Sequence, residues 1–442
     1  MPRAWTVTDL LFGDSGKGTL TEALVRRYKV PLVVRYSGGP QCGHNVVLEN
    51  GTHHVFSQFG AGTLAGARTL LTKHVLIDPV RLINEGDVLE KKGVSDPFGR
   101  VMIDTQCLVI TPFHRAVNRL KELSRGAARH GSCGVGVGET AAYALKHPDT
   151  ALRVEDLLFH RKTREKLEQI SKDCGEEIVQ FCGGAMPPEG AAEWGVFTSP
   201  DTIDAYLNRY RTFCESGVIF VSTKTALNRI RTQDTVWEGA QGVLLDEWVG
   251  FHPFTTWSTV TLQHAIEHLA LAGVSRDDIT NIGVLRCYGH RHGAGPFPTE
   301  NESLRPILDD KYNPENLWQG QFRVGWFDAV MADYGKRVAG PIDQLALTHI
   351  DRLASRDKWL LATGYPGGEI LPPHPEDFTA REHLTNDLMK LRSDDLTVEN
   401  VVSSRVPAII SDYLDLPVTV TSSGPTYADK QFSQTLVESI SA

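Results

Sequence analysis

Seven residues, Gly13 to Thr19 (GDSGKGT), bring a carboxylate, a lysine and three glycines together. Between a strand and a helix, such a turn points free backbone N–H groups at an anion, and the helix dipole adds to the attraction. The spacing is not that of a Walker loop, which needs four residues between its first glycine and the Gly-Lys pair. A turn built only for packing would use the same glycines, so the motif by itself leaves both readings open. A second segment, Arg35 to Asn45 (RYSGGPQCGHN), again pairs glycines with a titratable group, His44. A lone histidine of this kind is more often a surface loop residue than a catalyst, and the coincidence of two glycine loops raises both. Trp237 to Glu247 (WEGAQGVLLDE) places the amide of Gln241 at the end of an apolar run, ahead of HPFTTWST with Thr255 and Thr256. In Leu345–Asp351 (LALTHID) a strand-like run ends in Asp351, whose two acceptor oxygens match the N1–H and 2-amino edge of guanine, or else cap a helix. Gly293–Glu300 (GAGPFPTE) and Phe322–Val330 (FRVGWFDAV) are too irregular for core periodicity.

These residues need a frame. Thr6–Phe12 reads as a short buried strand ahead of the first motif, and Thr19–Tyr28 has helical apolar spacing with a basic end suited to a helix C-terminus. Val30–Tyr36 is the next apolar run, and strand, glycine turn, helix, strand is the opening of a parallel α/β sheet. The two glycine loops are then expected to close neighbouring strands, where ligands of such sheets collect. Runs at Leu70–Ile77, Val101–Ile110, Val218–Val221, Val236–Trp237, Ile282–Leu285, Leu345–Leu347 and Val418–Val420 recur between helical stretches and predict a large mixed, mostly parallel sheet flanked by helices. Residues 153–217 read as a charged helical subdomain interrupted at Gly183–Gly190, and Pro366–Asp395 as a surface excursion.

Composition narrows the partners. With 442 residues, 41% hydrophobic and 22% charged, the chain has material for one large α/β unit with appended parts. A net charge of -9 with scattered Lys and Arg gives no basic stripe for a polynucleotide, so an anionic small molecule would have to be met by local cations and backbone N–H groups. The seven cysteines form no CxxC pair, which argues against a disulfide framework or structural zinc and for a reducing cytoplasm. Apolar runs stay short of the ~20 residues of a membrane span, and a secretory leader is not expected.

In their order and spacing, GDSGKGT, GGPQCGHN, IDP at Ile77–Pro79, TPFH at Thr111–His114, EGAQGVLLD, GAGPFPTE, GWFDAV, LTHID and SSGP at Ser422–Pro425 resemble adenylosuccinate synthetase from end to end. That resemblance implies one domain over residues 1–442, a P-loop-like GTP site with helical subdomain insertions, and a homodimer with a shared active site. It also implies Mg2+ and GTP as cofactor and co-substrate, and a reaction in which the 6-oxygen of a purine nucleotide is phosphorylated and then displaced by an amino acid. Carried over residue by residue, Asp14 is the base that removes the purine N1 proton and a magnesium ligand, with the Gly43 carbonyl a second one. His44 neutralises charge on the transferred phosphoryl group, Gln241 orients the 6-phosphoryl intermediate, and Lys17 with Gly16, Gly18 and Thr19 cradles the phosphates. Asp351, His349, Ser422, Gly424 and Arg323 fall at the GTP site. Gln41, Cys133, Thr256 and His292 fall at the purine nucleotide.

The pattern breaks where the family grips aspartate. Ser132–Glu139 reads SCGVGVGE where the family has T-T-x-R-G-I-G-P, so Val135 stands in the place of an arginine. In LWQGQFRVGW, Gln319 and Gln321 stand where Thr and Arg are expected, beside Arg323. Each lost hydrogen bond to a carboxylate is worth about 1.5–3 kcal/mol, so the amine donor is expected to be less acidic than aspartate unless Arg291, Arg323 or another cation takes over. The family's cross-dimer arginine aligns only with Lys146 or His147. Retained Asp14 favours a 6-oxopurine without a 2-amino group, while Ser15 and His292, each in place of a different family residue, leave open the phage-type variant that uses a guanine deoxynucleotide. A nucleotide-binding paralogue without ligase activity and a phosphotransferase that stops at the 6-phosphoryl stage are the other readings. A base, an acid and a phosphoryl orienter present together favour the ligase.

Overall fold

The computed structural model describes residues 2–126, 131–313 and 320–433. Ten strands form the central sheet: β1 (Ala4–Asp9), β2 (Leu32–Arg35), β3 (Arg68–Leu71), β4 (Val101–Asp104), β5 (Ile219–Val221), β6 (Thr235–Gly242), β7 (Ile279–Arg286), β8 (Gln344–Thr348), β9 (Val418–Ser422) and β10 (Lys430–Phe432). Their order is β10-β9-β8-β7-β1-β6-β2-β3-β4-β5, parallel throughout except for the antiparallel β9–β10 edge. The inner strands are nearly continuous runs of buried residues, as parallel strands covered on both faces must be, and the edge strands β5 and β10 are not.

Two expectations about the opening of the chain change. The first strand ends at Asp9 rather than Phe12, because the Asp9 carboxylate accepts hydrogen bonds from the N–H groups of Leu11, Gly13 and Ser15 and turns the chain. The first two strands are also not neighbours: β6 lies between β1 and β2, paired to both in parallel register. The intruding strand carries Glu238 and Gln241 into the space between the two glycine loops.

Helix α1 (Lys17–Tyr28) starts two residues earlier than the apolar spacing suggests, with Gly16 as its N-terminal boundary and Arg26 and Arg27 in its last turn. Helix α2 (Pro112–Arg125) begins with a Thr111–His114 capping box and Pro112 in its first turn. Helices at His160–Phe181, Ala191–Thr198 and Thr202–Glu215 occupy most of 153–217, and Leu167, Ile170 and Phe213 share one apolar cluster with Ile103, Phe113 and Leu120 of the sheet and α2. Within 366–395 the helix Phe378–Lys390 is pinned to the body by buried Arg381, which donates to the Glu247 carbonyl at 2.7 Å. No helix among the described residues is long and apolar enough to cross a membrane.

Candidate active site

Six strands, β1, β2, β6, β7, β8 and β9, run their carboxyl ends into one cavity of about 1230 Å³ lined by Asp14, Gln41, Gln241, Arg286, His349 and Ser422 among others. This is where parallel sheets place ligands.

The first loop is shaped from beneath. Gly13, Asp14 and Gly16 all adopt positive φ (93°, 59° and 98°), and the Asp9 carboxylate holds the turn through its N–H donors. Lys17, almost fully buried, lies 3.5 Å from the same carboxylate. Burial alone would raise the Asp9 pKa, but Lys17, His290 and the N–H donors outweigh it and hold it below the usual value. Arg286 clamps the loop from the other side, donating from Nε (2.9 Å) and Nη2 (2.5 Å) to the Asp14 carbonyl while pairing with Asp310 at 2.8 Å. The His290 ring also donates to the Gly13 carbonyl. Gly16 supplies no capping side chain, so the first turn of α1 offers its N–H groups to the cavity.

His44 Nδ1 is 2.7 Å from Glu238 Oε1, both groups being buried, and the second Glu238 oxygen accepts from Ala61 N–H at 3.1 Å. The carboxylate fixes the tautomer with the proton on Nδ1. Nε2 faces the cavity wall without a hydrogen-bond partner. Burial, with Arg35 and Lys17 adding to it, outweighs Glu238 and lowers the His44 pKa. Gly18 is required by contact as much as by the helix start, since a Cβ there would sit 2.8 Å from His44 Cβ. Gln41 has both amide atoms buried without partners, and Gln241, at φ 54°, leaves Oε1 in the same state. Buried polar groups are seldom left unpaired, so three such side chains on one wall mark a ligand's polar edge.

At the far end, His349 (φ 59°, Nδ1 2.8 Å from Thr348 Oγ1), Asp351, Ser422 and Gly424 converge beside Thr19, whose hydroxyl donates to the Pro425 carbonyl at 2.7 Å. Cys133 and Thr256 line the opposite wall, and burial pushes the Cys133 thiol up to about 11. His292 also lines it, its Nδ1 4.0 Å from Asp14 Oδ2. Gly43 lies on the wall beside His44.

Three sequence-predicted residues sit elsewhere. Val135, Gln321 and Arg323 are not among the described residues that line the cavity. Val135 is buried in a small apolar cluster with Leu76, Ile110 and Val137, Gln321 accepts from Arg305 at 3.4 Å, and Arg323 is taken up by Glu300 and the carbonyls of Gly293 and Gly295. Gln319 lies outside the described residues. Arg291, by contrast, is on the wall, buried over the Phe12 ring at 4.1 Å and bonded, among the described residues, to the Ala294 and Pro296 carbonyls.

Sequence reading passes over Asp9, Glu238, Arg286, His290 and Asp310. A signal was present for three of them: Asp9, Glu238 and Arg286 are charges inside apolar strands, where burial is tolerated only with a partner.

The family model for adenylosuccinate synthetase matches residues 6–429. The adenylosuccinate synthetase of Frankia alni is 33% identical over 387 residues, covering 84% of this chain and 83% of its own. That of Clostridium botulinum strain Hall is 29% identical over 437 residues, covering 96% and 97%. Among solved structures, the fully ligated adenylosuccinate synthetase of Plasmodium falciparum superimposes with a TM-score of 0.75 at 19% identity over 97% of this chain and 99% of that one. The cyanophage S-2L succinoaminodeoxyadenylate synthetase, bound to dGMP and to dATP as energy donor, gives 0.59 at 18% identity over 100% and 99%. At these identities the two structures speak to the fold.

Proposed function

The chain belongs to the adenylosuccinate synthetase family of GTP-dependent ligases, and from that premise we propose that it phosphorylates the 6-oxo group of a purine nucleotide and replaces it with an amine. The observation that carries this reading is the convergence of Asp14, the unpartnered His44 Nε2, Lys17 and the unpartnered Gln241 Oε1 on one cavity. Asp14 takes the N1 proton, O6 attacks the γ-phosphorus of GTP, and the bond to the β,γ-bridging oxygen breaks as GDP leaves. Held by Glu238, His44 receives a proton on Nε2 as phosphate charge enters and donates it to the phosphoryl oxygens. Gln241 holds the 6-phosphoryl group while the amine attacks C6 and phosphate departs.

The residues fit magnesium. No group of three or more His, Cys, Asp or Glu among the described residues could hold a metal alone, and Mg2+ commonly takes one carboxylate and completes its shell with phosphates and water. Asp14 and the Gly43 carbonyl would supply the protein's share, and the ion would neutralise phosphate charge.

Both positions that would anchor an aspartate carboxylate face away from the cavity, Val135 in apolar packing and Gln321 toward Arg305. With Arg323 taken up by Glu300 and Arg291, though on the wall, already donating to the Ala294 and Pro296 carbonyls, the amine donor is an amino acid less acidic than aspartate. We also propose a homodimer, as in the family, which light scattering would show as twice the 48.8 kDa chain mass.

The test is GDP release from GTP and Mg2+ with IMP, GMP or their deoxy forms against each common amino acid, followed by mass spectrometry. GDP formation that requires both nucleotide and amine, with a new adduct, is expected. No adduct from any pair would refute the reading.

A further inference from the structure

Arg286 ends β7 beneath the first glycine loop, and its counter-ion, Asp310, comes from a turn 24 residues further along the chain. The guanidinium gives two N–H groups, from Nε and Nη2, to the Asp14 carbonyl, one from Nη1 to the Tyr288 hydroxyl, and the second of Nη2 to Asp310 Oδ2 at 2.8 Å. Its Cζ lies 5.4 Å from the centre of the Tyr288 ring and 5.1 Å from that of Phe322. Asp310 is fixed in turn: Oδ1 accepts from the Tyr312 N–H at 2.9 Å and Oδ2 from the Asn313 side-chain amide at 2.8 Å. One residue along the glycine loop, the Ser15 carbonyl accepts from the Thr348 hydroxyl at 2.8 Å. Two consecutive carbonyls of the loop are thus tied to the ends of β7 and β8.

Asp14 needs such ties. It is a non-glycine residue at φ 59°, with Gly13 and Gly16 also at positive φ, and a conformation of this kind persists only where its surroundings over-determine it. The charge of Arg286 adds a second requirement, because a buried guanidinium must keep a counter-ion. Burial works against its charged form, and Tyr288, Asp310 and Asp14, in that order, more than offset burial and hold its pKa above the usual value. Its ion pair among the described residues is with Asp310. Take that charge away, and the carboxylate left for Arg286 is that of Asp14 itself. A guanidinium swung onto the Asp14 oxygens would release the carbonyl and cover the atoms that must meet the purine N1–H.

We propose that Asp310 is a positioning residue for the reaction: it holds Arg286 on the Asp14 carbonyl and off the Asp14 carboxylate, so that this carboxylate faces the purine. The inference rests on the ligase reading, in which Asp14 is the base.

The test is a double-mutant cycle read as GDP release from GTP and Mg2+ with IMP, GMP and a mixture of the common amino acids. Asp310→Asn removes the charge at nearly constant shape and is expected to lower kcat about 10- to 100-fold, as misplacement of a reacting group does, with the KM for GTP little changed. In the Asp14→Asn background the same change should cost less than about twofold, because the group it positions is gone. Asp310→Glu, which keeps the charge, should recover most of the rate. Arg286→Lys, which cannot serve carbonyl and carboxylate together, gives a second cycle with the same expected pattern should Asp310→Asn fail to fold. A residue that only holds the fold would cost the same factor in both backgrounds. Equal factors, or no loss in either, would overturn the inference and leave the ligase reading standing. No GDP release from the unaltered protein would instead overturn the ligase reading, and full activity of Asp14→Asn the assignment of the base, and the inference with either.

Discussion

Glu238 touches no substrate in the proposed reaction, yet His44 depends on it for tautomer, orientation and proton affinity. Glu238→Gln is expected to lower kcat by about 10²- to 10⁴-fold, as loss of a carboxylate behind a catalytic histidine does, with little change in GTP affinity. Rapid-quench measurement of GDP formation checks it, and an unchanged kcat would show that the 2.7 Å contact is structural only. Asp14→Asn removes the base at constant shape, and GDP production should fall by at least about 10²-fold; production at the normal rate would assign the base elsewhere. Asp14, Lys17, His44 and Gln241 could be read from the sequence because each lies in a short motif whose chemistry is local. Glu238 and Arg286 could not be assigned roles, because the atoms they serve are 194 and 272 residues away. Only the fold reveals that a charge buried in a strand has a distant partner.

The strands show the same division between local and non-local information. Apolar runs located the starts of β1–β9 to within three residues, since a strand covered on both faces has an apolar composition wherever it sits, but the runs at Leu70–Ile77 and Val101–Ile110 outlast their strands by six residues. Their order was hidden, and the insertion of β6 between β1 and β2 is what delivers Glu238 and Gln241 to the site. The packing of α1 against the second loop gives one prediction. In Gly18→Ala the added methyl would meet His44 Cβ at 2.8 Å and the Asn45 carbonyl at 3.0 Å, so activity should drop sharply and the thermal transition should fall with it. Full activity at an unchanged Tm would contradict that contact. A second prediction concerns the helix Gln263–Leu271, whose His264 ring stacks on His74 at 3.5 Å. Burial, with the neighbouring histidines and Lys73 adding, lowers His74 to about 3 and His264 to about 4. Their unfolded pKa is about 6.5, so the unfolded chain takes up protons first, and stability is lost as pH falls from about 6.5 toward 4. His264→Gln should show a shallower loss of Tm over that interval, and parallel slopes would exclude this pair as a source.

Across the whole molecule, charge is distributed against its average. The chain carries -9 overall, yet its cavity wall balances seven Lys and Arg against seven Asp and Glu, and sets Lys17 and the first-turn N–H groups of α1 at the glycine loop. The KM for GTP should therefore rise several-fold between about 0.05 and about 0.5 M salt with kcat little changed, and a salt-independent KM would mean that these cations are neutralised internally. The composition already required such local cations for an anionic ligand, but their gathering at one end of six strands needed the topology. The claim on which the rest depends is that O6 becomes the phosphorylated atom. It is tested most directly by running the reaction with a purine nucleotide carrying 18O at the 6-position, GTP, Mg2+ and a mixture of the common amino acids, and analysing phosphate and nucleotide by mass spectrometry. The account predicts one 18O in each phosphate released and an amine adduct that has lost the label. Unlabelled phosphate, with the 18O retained in the nucleotide, would contradict it.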